Sequence, residues 1–232
     1  MYLLRGTPLN RPWQGDIYKD IRIINDIILE YDAENNLEKA SINDTVYTYA
    51  IILTQECDLE QDYLNRKTIY EDQYYRRTKV PEIKHDKYIP MILLAPAYLA
   101  ESLKDGDHLK DEFKQKMEIY GGKNWNMILN NDNKRYHYLK TNVDLNIPDL
   151  IIDFKHYFTL SRDVFYEKYL NSSYLASITI LFREELSFRF SNFISRIGIP
   201  NNARETELLT DSLRSNSPRS KDFSFELIQY WI

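Results

Sequence analysis

The densest polar run that closes an apolar stretch is Thr54-Gln55-Glu56-Cys57-Asp58, directly after Val46 to Leu53. A thiol between two carboxylates, beside a hydroxyl and an amide, could serve nucleophilic or acid–base chemistry or hold a ligand. The same run also reads as a strand-ending turn, with Asp58 capping backbone N–H groups and Cys57 buried as a small hydrophobe. Cys57 is the only cysteine, which excludes a disulfide framework and a Cys-rich zinc site. His85, His108, His137 and His156 stand apart, with no i,i+4 pair, so neither a metal site nor a cofactor is expected.

A second grouping lies between residues 60 and 87. Tyr63, Tyr70, Tyr74, Tyr75 and Tyr88 alternate there with Arg66, Lys67, Arg76 and Arg77. Aromatic faces interleaved with guanidinium groups suit single-stranded RNA, through base stacking and phosphate contact. They equally suit a protein partner, since Tyr and Arg are favoured interface anchors, and a plain solvated loop has the same composition. Asp153, between Ile152 and Phe154, is a carboxylate among large apolar residues and needs a partner. Lys155, His156 or an arginine of the C-terminal helix would supply one.

Several elements must position these groups. Gln14-Gly15-Asp16 is a turn signal before a strand over 17–29, and 31–44 reads as a polar turn region. A strand over 46–54 follows, buried on both faces at its centre, and 60–87 reads as a long loop. Residues 88–95 form a second core strand and 96–120 a helix ended by Gly121-Gly122. Residues 125–129 and 135–139 form a short hairpin and 150–159 another strand. Tyr174 to Ile199 is the strongest helix, with apolar residues from Leu175 to Ile197 at 3–4 spacing. Arg183, Arg189 and Arg196, with Glu184 and Glu185, fall on its solvated face. Residues 201–222 are a polar connector, and 223–232 (FSFELIQYWI) an apolar docking segment.

Composition limits the reading further. The chain has 232 residues, 43% hydrophobic and 28% charged, which is an ordinary globular composition. Its net charge of −5 excludes a globally basic nucleic-acid coat. Six glycines argue against Gly-rich phosphate loops. No apolar run is long enough to span a membrane, and the first residues, MYLLRGTPLNRPWQGD, lack the apolar core of a signal peptide, so a reducing cytoplasmic setting is the expectation.

Four patches in order resemble the MazF/PemK-like family of small SH3-like barrels. They are Gln14-Gly15-Asp16-Ile17-Tyr18, then Tyr49 to Gln55, then Pro90 to Ala95, and finally Asp149 to Arg162. The resemblance covers about residues 13–199. It implies an α+β fold, an SH3-like barrel over 1–200 with a helical insert near 97–145 and a long C-terminal helix, followed by 201–232. Typical members are endoribonuclease toxins, often dimers, neutralised by an antitoxin segment. They cleave next to a ribose 2′-hydroxyl with an Arg on the strand after the Gly-Asp hairpin and a Thr or Ser after the next strand, since the 2′-oxygen must lose a proton and the phosphorane charge must be met by a cation or donors placed in advance. This chain departs at both positions, with Tyr47-Thr48 or Thr48-Tyr49 in place of Arg-Pro and Ala95-Pro96 where the family has its Thr.

The favoured expectation is therefore a non-catalytic or degenerate binding or regulatory module that holds a protein partner (antitoxin-like or a regulator) or a nucleic acid in a bacterial stress or antiphage-defence circuit of toxin–antitoxin or anti-sigma type, with Tyr49, Gln55, Glu56, Cys57, Tyr74, Tyr75, Arg76 and Arg77 as binding residues. The alternative is a metal-independent endoribonuclease of single-stranded RNA, its arginine drawn from Arg66, Arg76 or Arg77 beside Thr54 and Asp58.

Overall fold

Two long strands carry the architecture of this computed structural model. β2 (Asp16–Asp32) and β3 (Leu37–Ile52) run antiparallel from Ile17 opposite Ile51 out to Asp32 opposite Leu37. Their runs of Ile, Val, Thr and Tyr favour extended backbone. The structure describes residues 3–4, 10–32, 37–75, 85–140 and 145–195. These fall within one compact unit, Met1–Ser195, and residues 196–232 form a second unit outside the described residues.

The other strands are β1 (Leu3–Leu4), β4 (Met91–Leu99), β5 (Tyr136–Leu139), β6 (Leu150–Asp153), β7 (Phe158–Ser161) and β8 (Tyr174–Ile178). They form an antiparallel sheet with a seven-strand path, β1-β8-β2-β3-β4-β6-β5, and β7 joins it on β4. The fold is mixed α+β. The sheet ends at β1 and β5, which do not pair, so it is open and not the closed barrel expected from the sequence.

β6 and β7 are in effect one strand with an insertion. Residues 150–152 pair with 97–99 of β4, and 158–161 pair with 91–94, a register offset of three residues. Those residues are taken up by a 3-10 turn, Phe154–His156, which Asp153 caps by accepting from Lys155 N at 2.9 Å. The turn buries Phe154 and brings His156 back beside Asp153.

Alternation along the strands fills two cores on opposite faces of the sheet. Ile17, Ile51, Leu53, Ala95 and Ala97 face one side with Ala176 and Ile178, where Leu186, Phe190 and Phe193 of α6 (Ile180–Ile194) cover them. Tyr18, Ala50, Ile52, Ile92 and Leu94 face the other. There they meet Leu59 of α1 (Glu56–Tyr75) and Phe165 of α5 (Arg162–Lys168). A third cluster joins α2 (Ala100–Lys104) and α4 (Gly122–Leu129) to β5 and β6 through Leu103, Ile128, Tyr136 and Ile151.

Several elements differ from the sequence expectation. Residues 56–75 are helix α1, not loop. Its described inward positions, Leu59 and Asp62, combine an apolar residue with a charged one, so no apolar stripe announced it. The expected helix over 96–120 yields to the end of β4, then α2 and α3 (Lys110–Phe113), because Asp105-Gly106-Asp107 breaks the run. Gly106 has φ +73°, and an added Cβ would lie 2.5 Å from the Met117 carbonyl oxygen, so only glycine fits there. Gly121 starts α4 rather than ending a helix, and Trp125 to Leu129 are helical, so the expected hairpin keeps only β5. Tyr174 to Ile178 are strand β8, and the helix begins at Ile180. Tyr174, Leu175 and Ile178 fit helical spacing, but Ala176 and Ile178 obey the strand period and are the pair that is buried. The turn expected over 31–44 is instead mostly the outer part of the β2–β3 ribbon.

The ribbon beyond the core exposes apolar side chains, whereas the two cores hide theirs. Phe165→Ala should therefore lower unfolding free energy by about 3–5 kcal/mol, as for a truncated buried aromatic. Ile27→Thr should change it by less than about 0.5 kcal/mol, as at an exposed site. Urea denaturation of both variants checks the contrast, and equal losses would contradict the assigned core.

Candidate functional site

The Gly15 turn and the start of α1 meet to form a cluster of charge. Gly15, at φ +82°, gives its N–H to Ile52 O and accepts from Ile178 N, tying three strands together. Gln14 donates from its backbone to Glu56 Oε2 at 2.9 Å and from its side chain to Leu53 O at 3.2 Å. Glu56 sits in the first turn of α1, where a carboxylate suits the helix dipole. Arg11 approaches Glu56 at 2.7 Å and Arg183 at 3.5 Å, and both guanidinium groups lie against the Trp13 ring, 4.8 and 5.1 Å from its centroid. Arg183, expected on a solvated helix face, is buried.

Asp16 lies beside this cluster and is 1% exposed. Burial pushes its carboxyl up to about 6; bonds from the Ser177 hydroxyl and Trp13 N, and the charge of Arg183, offset part of that rise.

The Thr54–Asp58 run divides in the structure. Thr54 Oγ1 accepts from Leu93 N at 2.7 Å and clamps β3 to β4. The Gln55 carbonyl accepts from Asp58 N and Leu59 N. Cys57 is exposed, not buried, with its Sγ 3.8 Å from Gln55 Oε1 and 3.7 Å from Asp58 Oδ1. Only Glu56 joins the charged cluster.

Arg66, the described member of the expected catalytic arginines, is committed elsewhere. Its Nε donates to Asp62 Oδ1 at 2.7 Å, and Arg162 Nε donates to Asp62 Oδ2 at 2.9 Å. Asp62 is fully buried and also accepts from Ile89 N at 3.1 Å. Arg66 stacks on Tyr88 and Arg162 on Tyr166, 4.3 and 3.7 Å from the centroids. Tyr74 and Tyr75 end α1, and Arg76 and Arg77 lie outside the described residues.

Asp153 has two of the partner types that the sequence required. His156 Nδ1 lies 2.8 Å from its Oδ2, and the arginine comes from Arg135 before β5, not from the C-terminal helix. Arg135 is bidentate, at 2.8 and 2.6 Å. Burial alone would raise the Asp153 carboxyl, but Arg135 and His156 outweigh it and hold it down at about 2. Arg189, also expected in solvent, donates to the carbonyls of Asn131, Asn133 and Tyr136, closing the turn between α4 and β5.

A cleft of about 590 Å³ opens where β3 and β4 part. β3 pairs with β4 only over residues 50–52, and β4 turns away to β6 at Ala97. Asp44, Tyr49, Asp107, His108, Asp111 and Lys114 line the opening. His108 is held neutral at physiological pH, its imidazole lowered to about 4 chiefly by burial, against the pull of Asp153. Among the described residues, Tyr49 is the one expected binding residue in this lining. The acidic members were not singled out in the sequence, because Asp44 lies on the ribbon and Asp107 and Asp111 in a segment expected to be helical.

Among the described residues, no group of three or more His, Cys, Asp or Glu is placed to hold a metal ion, and no helix is long and apolar enough to cross a membrane. Comparisons with family models, curated proteins and solved structures find no match to this chain.

The depressed Asp153 carboxyl fixes the sign of a pH effect. Its contribution to stability is complete above about pH 4, the unfolded value, and is lost as pH falls through about 2, a change of about 2 kcal/mol. Asp153→Asn should cost about 3–5 kcal/mol at pH 7, because Arg135 loses its buried partner. The gap between variant and parent should narrow by about 2 kcal/mol between pH 4 and pH 2 in urea titrations. A constant gap would show that Asp153 does not carry this charge pair.

Proposed function

We propose that the chain is a non-catalytic binding module, a degenerate MazF/PemK-like domain that holds a protein partner in a bacterial stress or antiphage-defence circuit of toxin–antitoxin or anti-sigma type. One observation carries this reading. Each of the seven described arginines already has a partner: Arg11 and Arg183 on Glu56, Arg66 and Arg162 on Asp62, Arg22 on Asp44, Arg135 on Asp153, and Arg189 on three carbonyls. Metal-free cleavage of RNA needs a cation that meets the phosphorane in advance. A guanidinium already bonded to a buried carboxylate would have to abandon that charge, at a cost of about 3–5 kcal/mol.

The cleft favours the same class of partner. Tyr49 offers an aromatic anchor among Asp44 and Asp107, already paired with Arg22, Lys110 and Lys116, and the lining also holds Asp111 and Lys114, the mixed polar and aromatic surface that suits a protein partner. The barrel resemblance draws support from strand order. Five strands run β8-β2-β3-β4-β7, and the chain leaves β7 through α5 to return beside β2. That is the order of a small rolled sheet, here left unclosed between β7 and β8.

Pure full-length protein incubated with single-stranded RNA in the absence of metal should leave it intact on denaturing gels. A product ending in a 2′,3′-cyclic phosphate, abolished by Arg76→Ala or Arg77→Ala, would overturn the binding-module reading in favour of an endoribonuclease.

A further inference from the structure

Among the described residues three aspartates are buried, and one of them has no cation bonded to it. Asp62 is bonded to Arg66 and Arg162, and Asp153 to Arg135 and His156. Asp16 is 1% exposed, yet the groups bonded to it are neutral: the Ser177 hydroxyl donates to one oxygen and Trp13 N to the other at 2.8 Å. A carboxyl removed from water and met only by neutral donors keeps its proton to a higher pH, and burial pushes that of Asp16 up to about 6.

The cation whose charge reaches Asp16 is engaged elsewhere. Arg183 lies against the turn that precedes Asp16, where a Cβ added to Gly15 would meet its Cγ at 3.5 Å. Its Nη1 is 3.5 Å from Glu56 Oε2, a loose contact beside the 2.7 Å between Arg11 and Glu56. Its Nε is buried and has no hydrogen-bond partner among the described residues. One buried guanidinium therefore serves two carboxylates, loosely held by Glu56 and with a donor to spare for Asp16.

The other groups around Asp16 cannot take the place of Arg183. Glu56 on α1 is a like charge and raises Asp16 further, and Arg11 is committed to Glu56 and to the Trp13 ring. Tyr18, on the same strand as Asp16, stays protonated, because burial pushes its hydroxyl up and the neighbouring Asp16, Tyr174 and Tyr166 add to that push.

We propose that Asp16 is a pH-sensitive switch for the first turn of α1. Protonated, it leaves Arg183 to Glu56, and Arg183 and Arg11 together hold α1 against residues 10–16. When Asp16 gives its proton to water, it draws the unused Nε of Arg183 toward itself, and Glu56 keeps Arg11 and Gln14 N. Gln55 and Cys57 flank Glu56, so the switch sets how firmly these two expected binding residues are presented. The proposal goes beyond the binding-module reading and does not depend on it.

The test uses the full chain with Trp125→Phe and Trp231→Phe, which leaves Trp13, against both guanidinium groups, as the sole tryptophan. NMR of the labelled carboxyl carbon follows Asp16, and Trp13 fluorescence follows Arg183. The carboxyl should titrate at about 6, with a change in Trp13 emission at the same pH. Asp16→Asn should abolish the emission change with near-ultraviolet circular dichroism retained. Glu56→Gln removes the like charge and should move both midpoints down together, and Arg183→Gln should move the carboxyl midpoint up. A carboxyl midpoint at the ordinary value of about 4 overturns the switch. So does a carboxyl that titrates as expected under a flat Trp13 signal, because Asp16 then ionises without moving Arg183. An emission change that persists in Asp16→Asn, or that fails to follow the carboxyl in Glu56→Gln, assigns the motion to another group and also overturns it. The Glu56→Gln arm decides the matter if Asp16→Asn does not fold.

Discussion

Asp62 has no exposed surface, and the fold around it answers the cost of that burial. An ionised carboxylate without water is tolerated only when cations and donors surround it. Arg66 comes from the same helix one turn on, Arg162 opens α5, and Ile89 N comes from the segment leading into β4. One side chain therefore ties α1, α5 and β4 together on the same side of the sheet as the Tyr18 and Phe165 core. Asp153 repeats the device on the insert, where Arg135 and His156 fix β5 and the 3-10 turn against β6. Pairs of this kind add little net stability over a well-packed apolar replacement, but they permit few alternative arrangements. They set where the helices sit, and among the described residues they occupy Arg66, Arg162 and Arg135. The proposed binding role draws its support from the same contacts that fix the architecture.

That economy also explains what the sequence could and could not reveal. The core strands were legible because Ile17, Ala50 to Leu53 and Ile92 to Ala95 obey the strand period or are apolar throughout. α1 was not legible, since its hidden positions include Asp62, and a buried ion pair looks like a polar loop in a hydropathy pattern. The Asp153 partnership was half legible. A carboxylate between Ile152 and Phe154 demands a cation, and His156 was within reach in sequence, but Arg135 lies on a neighbouring strand and only pairing brings it close. β8 was misread because Tyr174, Leu175 and Ile178 fit helical spacing while Ala176 and Ile178 fit the strand period, and tertiary packing beside Gly15 decides between them. Arg11 and Arg183 illustrate the general limit. They are 172 positions apart and meet at Trp13 and Glu56 only through the fold.

The departures from regular strand geometry are few, and each redirects a surface. The three residues added between β6 and β7 raise Phe154 into the α6 core and return His156 to Asp153. The single residue added in β2 at Asn25, whose side chain donates to Thr45 Oγ1 at 2.8 Å, shifts the outer ribbon by one position. Without that shift, Ile27 and Leu29 would turn to the face that carries Ser41 and Asn43, and the apolar side chains of the two strands would be divided between faces. With it, Ile24, Ile27 and Leu29 share the face of Ile42 and Val46, while Ile28 takes the face of Ser41 and Asn43. A bulge costs ladder pairing, and here it assembles an apolar surface that this chain alone leaves in water. Apolar exposure is not confined to the ribbon, since Ile180, Leu181 and Phe188 of α6 are exposed as well, but on the ribbon it is register that decides which face carries it. The described acid on that face, Asp44, is paired with Arg22 at 2.9 Å, and Asp26 lies on the opposite face, so register separates the apolar side chains from most of the charge.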